Sequence, residues 1–235
     1  MVIRSSDRGR VLVIMAKAPR PGTVKTRLSS TLPIDSVTEF YRCLLDDTLD
    51  LVRSLSDVQV AIMCPDSDVN DLEQLAGDGV TVVAQKGQGL AGGLTSVFAH
   101  FAAESHRATI AFNSDSPHLP RSVLEEAFEK LDSHDLVVGP THDGGFYLVG
   151  ANDSYPTLFT NDGMGTSSAL ERLLSSARRL ELSVALACTF YDIDVADDLT
   201  RLASELCLAP ARAPRTARWL RAWMPAAPRT GTGGL

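Results

Sequence analysis

Short continuous runs of apolar and β-branched residues recur along this chain and alternate with segments of helical periodicity. Runs of this kind are typical of strands that are covered on both faces. Strands alternating with helices predict an α/β fold with a mostly parallel, doubly wound sheet between two layers of helices. The predicted strands span residues 11–16, 58–64, 80–85, 108–115, 135–141, 145–151 and 184–194.

The segment GPTHDGG between the fifth and sixth predicted strands is short and rich in turn residues, which favours one antiparallel strand in a mixed sheet. Ser36 with Glu39, and Ser122 with Glu125, match the capping-box pattern and predict two helix starts. Further helices are predicted over 90–103, 167–180 and 196–207.

A length of 235 residues suits one large domain, with or without a tail. We expect a folded domain over 11–208, preceded by a polar, disordered segment over 1–10. Residues 209–235 form a tail rich in Arg, Ala and Pro, within which RTARWLRAWM could form a short amphipathic helix.

The composition argues against several classes of protein. The net charge of −7 disfavours nucleic-acid binding, and no apolar run approaches the ~20 residues that a membrane span requires. Four widely spaced cysteines favour neither a disulfide scaffold nor a zinc site, and each is expected to behave as a small apolar residue. With no signal-peptide pattern, we expect a cytoplasmic protein.

The loop after the first strand, KAPRPGTVKTRL, places four cations around two prolines and a glycine. Arginine and lysine side chains, with the amides of a restricted loop, could bind a diphosphate, although the spacing does not match a Walker A loop. A basic surface turn with Leu28 packed inward is the alternative. The predicted nucleotide-binding residues are Ala16, Lys17, Pro21, Gly22, Lys25 and Arg27, with Gln85 and Gly89 from the glycine-rich loop that follows the third strand.

Carboxylates follow two of the predicted strands. Asp115 ends the fourth strand and could hold Mg²⁺ together with substrate phosphate oxygens, or it could cap the next helix. Asp192 and Asp194 alternate on the last predicted strand and would share one face, so either could be a second metal ligand. Asp194, or the residues just after it, could equally cap the last helix.

The turn THDGG and the segment NDGMGTSS would border a second substrate. Asp143 could orient a hydroxyl or act as a general base, although Asp-Gly is also an ordinary hairpin signal, and His142 is the weaker candidate. The glycines that follow would allow close approach of a ligand. The predicted catalytic residues are Asp143 and Asp115, and the predicted acceptor-binding residues are Gly144, Gly145, Phe146 and Thr166.

Four blocks, AKAPRPGTVKTRL, NSDSPHLP, HDGGFYLVG and DIDVADDL, together resemble a family of bacterial GT-A-type, nucleotide-diphospho-sugar transferase-like proteins. These are glycosyltransferases of the arsenosugar-biosynthesis and radical-SAM/selenodomain-associated type. The resemblance spans about residues 11–202, and a related first loop occurs in 2-phospho-lactate and molybdenum-cofactor guanylyltransferases. It implies a single GT-A-like, three-layer α/β/α domain.

The resemblance also implies a nucleotide over the first four strands, with Lys17, Lys25 and Arg27 at its phosphates and Asp115 at a divalent metal, Mg²⁺ or Mn²⁺. Two stretches depart from the family pattern. Gly92–Gly93 stands where a Glu–Arg pair is usual, and GMGTSS stands where a Trp-Ser-Thr segment is usual. Both would border the acceptor, so the reaction type stays open.

Three functions are therefore carried forward. The first is a metal-dependent glycosyltransferase that moves a sugar from a nucleotide-diphospho-sugar to a small-molecule acceptor. The second is a nucleotidyltransferase that joins an NTP to a phosphorylated small molecule and releases pyrophosphate. The third is a non-catalytic nucleotide-binding module whose tail docks a partner through Trp219, Leu220 and Trp223, although a tail folded onto its own domain is the simpler expectation.

Overall fold

The computed structural model describes residues 8–159 and 164–223, which form a seven-stranded sheet between two layers of helices. The sheet order is β3-β2-β1-β4-β6-β5-β7. The strands are Arg8–Met15 (β1), Val58–Cys64 (β2), Val80–Ala84 (β3), His106–Asn113 (β4), Leu136–Pro140 (β5), Phe146–Ala151 (β6) and Val184–Leu186 (β7).

The predicted mixed sheet is confirmed. Neighbouring strands are parallel except at β6, which is antiparallel to both β4 and β5. The turn from β5 to β6 is short enough that the chain reverses at once, as the sequence of that turn predicted. β1 begins at Arg8, three residues before the predicted strand.

Both faces of the central strands are buried, which accounts for their continuous apolar runs. Along β1, Leu12 and Ile14 pack into a core on one face of the sheet, and Val11 and Val13 pack into a second core on the other face. The helices are Ile34–Arg53 (α1), Val69–Ala76 (α2), Gly89–Ala103 (α3), Arg121–Leu131 (α4), Ala169–Arg179 (α5), Ala196–Leu208 (α6) and Pro214–Trp223 (α7).

Two helix starts differ from the capping-box predictions. α1 and α4 begin directly after Pro33 and Pro120, so Ser36 and Ser122 lie inside the first turns and do not cap them. Proline is preferred at helix starts because its lack of an N–H costs nothing there and its ring fixes φ. This signal overrides the Ser-x-x-Glu pattern at both helices.

The tail helix α7 is confirmed and packs against the outer face of α1. Trp219 lies against Phe40 with ring centroids 4.8 Å apart, and both Trp219 and Leu220 are buried. These are two of the three side chains that the docking-module hypothesis required to be available to a partner. The tail therefore folds onto its own domain over the part that the structure describes.

Parts of three predicted segments lie outside the described residues: 1–7 of the N-terminal segment, 161–163 of NDGMGTSS and the end of the tail from 224. Within residues 8–159 and 164–223, no helix combines the length and apolarity needed to cross a bilayer. All four cysteines are free thiols. Cys64 is buried as expected, whereas Cys188 and Cys207 are exposed, so the expectation of apolar packing is wrong for those two.

Asp47 of α1 fixes the start of α7. Its buried carboxylate accepts hydrogen bonds from the backbone N–H groups of Thr216 at 2.8 Å and Arg215 at 3.2 Å, and from the Arg215 guanidinium at 3.2 Å. The N–H groups at a helix start have no partner within the helix. Asp47 therefore acts as a cap that is supplied by a different helix.

We expect Asp47→Ala to lower the free energy of unfolding by about 2 kcal/mol, because hydrogen bonds to a charged group contribute ~1.5–3 kcal/mol. Urea unfolding followed by circular dichroism measures the change. Glu39→Gln, an exposed charge on the same helix, is the matched control and should stay within about 0.5 kcal/mol of the parent. Equal midpoints for the two variants would contradict this account of α7.

Candidate active site

The order of the strands creates a crevice at the carboxyl edge of the sheet. The chain passes from β1 to β2 and β3 on one side, and then places β4 on the other side of β1. In open α/β sheets ligands bind at such a switch point, beyond the carboxyl ends of the strands. A cleft of about 870 Å³ lies there, within the size range of small-molecule sites.

Most of the predicted nucleotide-binding residues meet in this cleft. Pro21 and Gly22 are not among the described residues that line it; Gly22, with φ +76°, shapes the turn instead. The predicted residues that line the cleft are Ala16, Lys17, Lys25, Arg27, Gln85, Gly89, Asp115 and Asp194.

The ammonium of Lys25 lies between two carboxylates at one end of the cleft. Its Nζ donates to Asp115 Oδ2 and, at 2.9 Å, to Asp194 Oδ1. Burial lowers the pKa of Lys25, but the two carboxylates outweigh burial and raise its pKa above the ordinary value, so the ammonium stays charged. The Lys25 backbone is left-handed (φ 45°, ψ 41°), a conformation that non-glycine residues rarely adopt and that is concentrated at functional sites.

The other cations of this loop divide into two groups. Arg27 is largely exposed and its Nη1 lies 3.2 Å from the second Asp194 oxygen, while Lys17 lines the same cleft. Arg20 turns away and pairs with Asp68 and Asp71, which anchors the loop to the start of α2. The surface-turn alternative therefore holds for Arg20 but not for the buried Lys25. Leu28 packs inward as expected.

Asp115 does not cap the following helix, since α4 begins only after Pro120. Its carboxylate is directed to Lys25. The adjacent Asn113 Nδ2 donates to Asp192 Oδ1 at 2.8 Å and to Ser116 Oγ at 3.0 Å. The end of β4 is therefore linked by hydrogen bonds to the segment that leads into α6.

The prediction that Asp192 and Asp194 lie on a strand is wrong. β7 ends at Leu186 because it is an edge strand, and the chain then turns so that Tyr191 and Ile193 pack against α1, α6 and α7. Both carboxylates still reach the region of Lys25. Asp194 does not cap α6, whose N-cap is Val195; instead Asp198 in the first turn accepts the backbone N–H groups of Asp194 at 2.8 Å and Val195 at 2.9 Å.

The charges around Asp115 determine whether a metal ion suits the site. Burial, followed by the negative charge of Asp115, raises the pKa of Asp192 well above its usual range. Excess negative charge of this kind suits a cation. Within residues 8–159 and 164–223, however, no group of three or more His, Cys, Asp or Glu side chains is arranged to hold a metal ion. An ion at Asp115 would thus need ligands from a substrate, as Mg²⁺ often does.

Asp143 lies in the exposed turn between β5 and β6. Its Oδ1 accepts Thr141 Oγ1 at 2.5 Å and the backbone N–H of Gly145 at 3.1 Å, which is the hydrogen bonding of an ordinary Asx turn. Asp143 is not among the described residues that line the cleft, and neither are Gly144, Gly145 and Phe146. Its charge nevertheless contributes to the raised pKa of Asp192, so the turn lies beside the acidic end of the site.

A second cavity, of about 640 Å³, adjoins the cleft. The two cavities share a wall at Gln88, Gly89 and Leu90, and the predicted acceptor residue Thr166 lines the second one. The turn from β5 to β6 contacts the same segment: Gly144 has φ +88°, and a Cβ there would overlap the carbonyl oxygen of Ser167. The β5–β6 turn and the segment around Thr166, which were both predicted to border the acceptor, therefore lie together.

Several residues that line the cleft were not predicted from the sequence. Tyr41 belongs to the apolar stripe of α1, but its hydroxyl lies 3.0 Å from Ser114 Oγ and accepts the backbone N–H of Lys17 at 3.2 Å. Apart from these hydroxyl contacts, Tyr41 packs as an ordinary core residue, so its spacing in the sequence did not reveal it. Asp66 directly follows β2, and the rule that functional residues follow strands would have found it.

A family model described as an uncharacterized protein conserved in bacteria (DUF2064) matches residues 48–166. A solved structure from Desulfovibrio desulfuricans G20, provisionally described as a nucleotide-diphospho-sugar transferase, is similar with a TM-score of 0.85 and 25% identity. That similarity covers 92% of this chain and 95% of the other. A search of curated proteins found no match.

Two more distant structures share the fold alone. One is 4-diphosphocytidyl-2C-methyl-D-erythritol synthase from Anaerococcus prevotii DSM 20548, with a TM-score of 0.57, 12% identity, and coverage of 86% of this chain and 97% of that chain. The other is Rv0371c from Mycobacterium tuberculosis H37Rv in complex with manganese, with a TM-score of 0.51, 19% identity, and coverage of 84% and 98%.

His118 supports the segment that carries Asp192 and Asp194. Its ring packs against Phe190 and Tyr191 with centroids 4.7 and 4.8 Å away, and neither of its nitrogens has a hydrogen-bond partner among the described residues. Burial, with smaller contributions from Arg201 and Arg212, lowers its pKa from 6.5 to about 3. The folded protein therefore holds His118 neutral.

We expect stability to fall as the pH drops from about 6.5 toward 3, because the unfolded chain binds a proton at His118 before the folded chain does. One such proton gives a slope of about 1.4 kcal/mol per pH unit. His118→Phe should flatten the pH dependence of the unfolding free energy between pH 6 and pH 4, and His142→Gln, an exposed control, should not. A slope for His118→Phe as steep as that of the parent would refute this assignment.

Proposed function

We propose that this chain, a member of the DUF2064 family, is a nucleotide-dependent transferase, because a charged cleft lies at the switch point of its sheet. Its favoured reaction is the metal-dependent transfer of a sugar from a nucleotide-diphospho-sugar to a small-molecule acceptor. The observation that carries the proposal is the convergence of Lys25, Arg27 and Asp115 on one end of a single cleft.

The charges at that end suit a diphosphate. Lys25 and Arg27 supply two cations, and Lys17 lines the same cleft. Phosphate oxygens would compete with the carboxylates of Asp115 and Asp194 for these cations, and arginine can bind them with two parallel hydrogen bonds. The nucleoside would then extend past Ala16 toward Gln85 and Gly89.

The predicted carboxylates and cations of the site each have a role in the proposal. Asp115, with Asp192 or Asp194, would hold Mg²⁺ or Mn²⁺, and the metal would supply charge neutralisation at the leaving phosphate. Lys25 and Arg27 would stabilise the negative charge that develops there. Asp143 would orient the acceptor hydroxyl or take its proton. The acceptor would contact Thr166 and the glycines of the β5–β6 turn.

The likeness to D. desulfuricans G20 supports glycosyl transfer, since that protein is provisionally described as a nucleotide-diphospho-sugar transferase. A nucleotidyltransferase is the second candidate, supported by cytidylyltransferase structures with the same fold. In that case the cations would neutralise an NTP triphosphate. We place the activity in residues 11–208 and its setting in the cytoplasm, where both kinds of donor are abundant.

We expect Asp115→Asn to lower turnover about 100-fold or more, because removing one preorganised charged contact commonly costs ~10²–10³ in rate. Nucleoside diphosphate release from a panel of nucleotide-sugars, with Mg²⁺, Mn²⁺ or EDTA present, measures it. Asp132→Asn, an acid that pairs with Arg10 and Arg107 near the amino ends of β1 and β4, is the matched control and should retain parental turnover. Undiminished turnover in Asp115→Asn would refute the assignment.

Product analysis separates the two reactions. Release of nucleoside diphosphate from a nucleotide-sugar supports glycosyl transfer, whereas release of pyrophosphate from an NTP supports nucleotidyl transfer. Binding of both kinds of donor with no turnover of either would exclude both.

A further inference from the structure

Asp66 is a carboxylate that lines the cleft beyond the end of β2. Asp115 lies beyond the end of β4, and β1 lies between those two strands. Neighbouring strands lie ~4.8 Å apart, so β2 and β4 are separated by about 10 Å across the sheet. That separation is of the order of the distance from a nucleobase to its diphosphate.

Unlike Asp115 and Asp194, Asp66 makes no side-chain hydrogen bond or ion pair within residues 8–159 and 164–223. The nearby start of α2 does not depend on it. Asp68 accepts the backbone N–H of Ala18 at 2.9 Å, and Asp68 with Asp71 binds Arg20. Asp66 therefore has both of its oxygens available to a ligand in the cleft.

An unpaired carboxylate repels the phosphates of a nucleotide, so its place in an anion-binding cleft suits a part of the ligand that donates hydrogen bonds. Among the nucleobases, guanine offers two adjacent donors, N1–H and the 2-amino group, that match both oxygens of one carboxylate. Adenine and cytosine offer one amino group beside an acceptor nitrogen. Uracil offers one N–H between two carbonyls. Two parallel hydrogen bonds to a carboxylate are stronger and more specific than one.

Gln85 supplies the complementary group. Its backbone N–H donates to Cys64 O at 2.8 Å, so the residue that follows β3 lies beside the end of β2 and close to Asp66. Its side-chain Nε2 has only one hydrogen bond among the described residues, a long one of 3.3 Å to Gly87 O. The amide can therefore turn to donate to guanine O6. Met15 and Pro65, which are partly exposed beside Asp66 and Gln85, give this part of the cleft apolar surface for a flat base.

We propose that the cleft selects guanine nucleotides, with Asp66 as the specificity-determining residue and Gln85 as its partner. This inference rests on the proposed function, since it assigns the base of the nucleotide that the cleft binds. It deepens that function by naming the donor class as guanosine diphosphate derivatives.

Calorimetric titration of the full chain with GDP, IDP, ADP, CDP and UDP in Mg²⁺ tests the proposal. We expect GDP to bind at least tenfold more tightly than each of the others. IDP keeps N1–H and lacks only the 2-amino group, so the difference in affinity between GDP and IDP isolates the second of the two hydrogen bonds to Asp66. In Asp66→Asn the advantage of GDP over IDP should shrink to less than about twofold, because the two changes remove the same interaction.

Asp78→Asn is the matched control, since it changes the same charge at an exposed position before the amino end of β3. It should keep the preference for GDP. Equal affinity for GDP and IDP in the parent, an unchanged preference in Asp66→Asn, or tighter binding of another base would overturn the guanine assignment while leaving the proposed function intact. Failure of all five nucleotides to bind would overturn both.

Discussion

The buried ammonium of Lys25 is the interaction on which the rest of the site depends. It joins three segments that are far apart in the chain: the loop after β1, the end of β4 at Asp115, and Asp194 before α6. A buried charge is tolerated only when it is paired, and Lys25 pairs with both carboxylates at once. In the proposed function, a diphosphate would compete for the cations and leave the carboxylates available to a metal ion.

The sheet could be predicted where both faces of a strand are buried. β2 was predicted over its observed range because every interior position, facing either core, must be apolar. The end of the last strand could not be predicted in this way. β7 pairs on one side only, and the apolar residues that follow it pack against α6 and α7 rather than against the sheet. Helix starts were misplaced at Pro33 and Pro120, where the backbone preference of proline determined the first turn.

The candidate site was predictable as far as it follows from strand ends. Gln85 directly follows β3, Asp115 lies two residues beyond β4, and Lys25 and Arg27 belong to the loop after β1; parallel strands bring their carboxyl ends to one edge. The contribution of Tyr41 to the cleft was not predictable from the sequence. Its position in the apolar stripe of α1 is the same whether its side chain only packs on the sheet or also presents its hydroxyl to a cleft. The second cavity also lay beyond prediction, since it depends on how residues 164–166 lie against the start of α3.

The seating of α7 on α1 has a consequence for how the chain is made. Asp47 and Arg215 are 168 positions apart, so the outer face of α1 stays uncovered until α7 has emerged from the ribosome. During that interval Phe40 and Leu44 lack part of the apolar packing that they have in the folded protein. Exposed apolar surface on a nascent chain invites chaperone binding, so maturation of this protein should be limited by the arrival of α7 rather than by the assembly of its sheet.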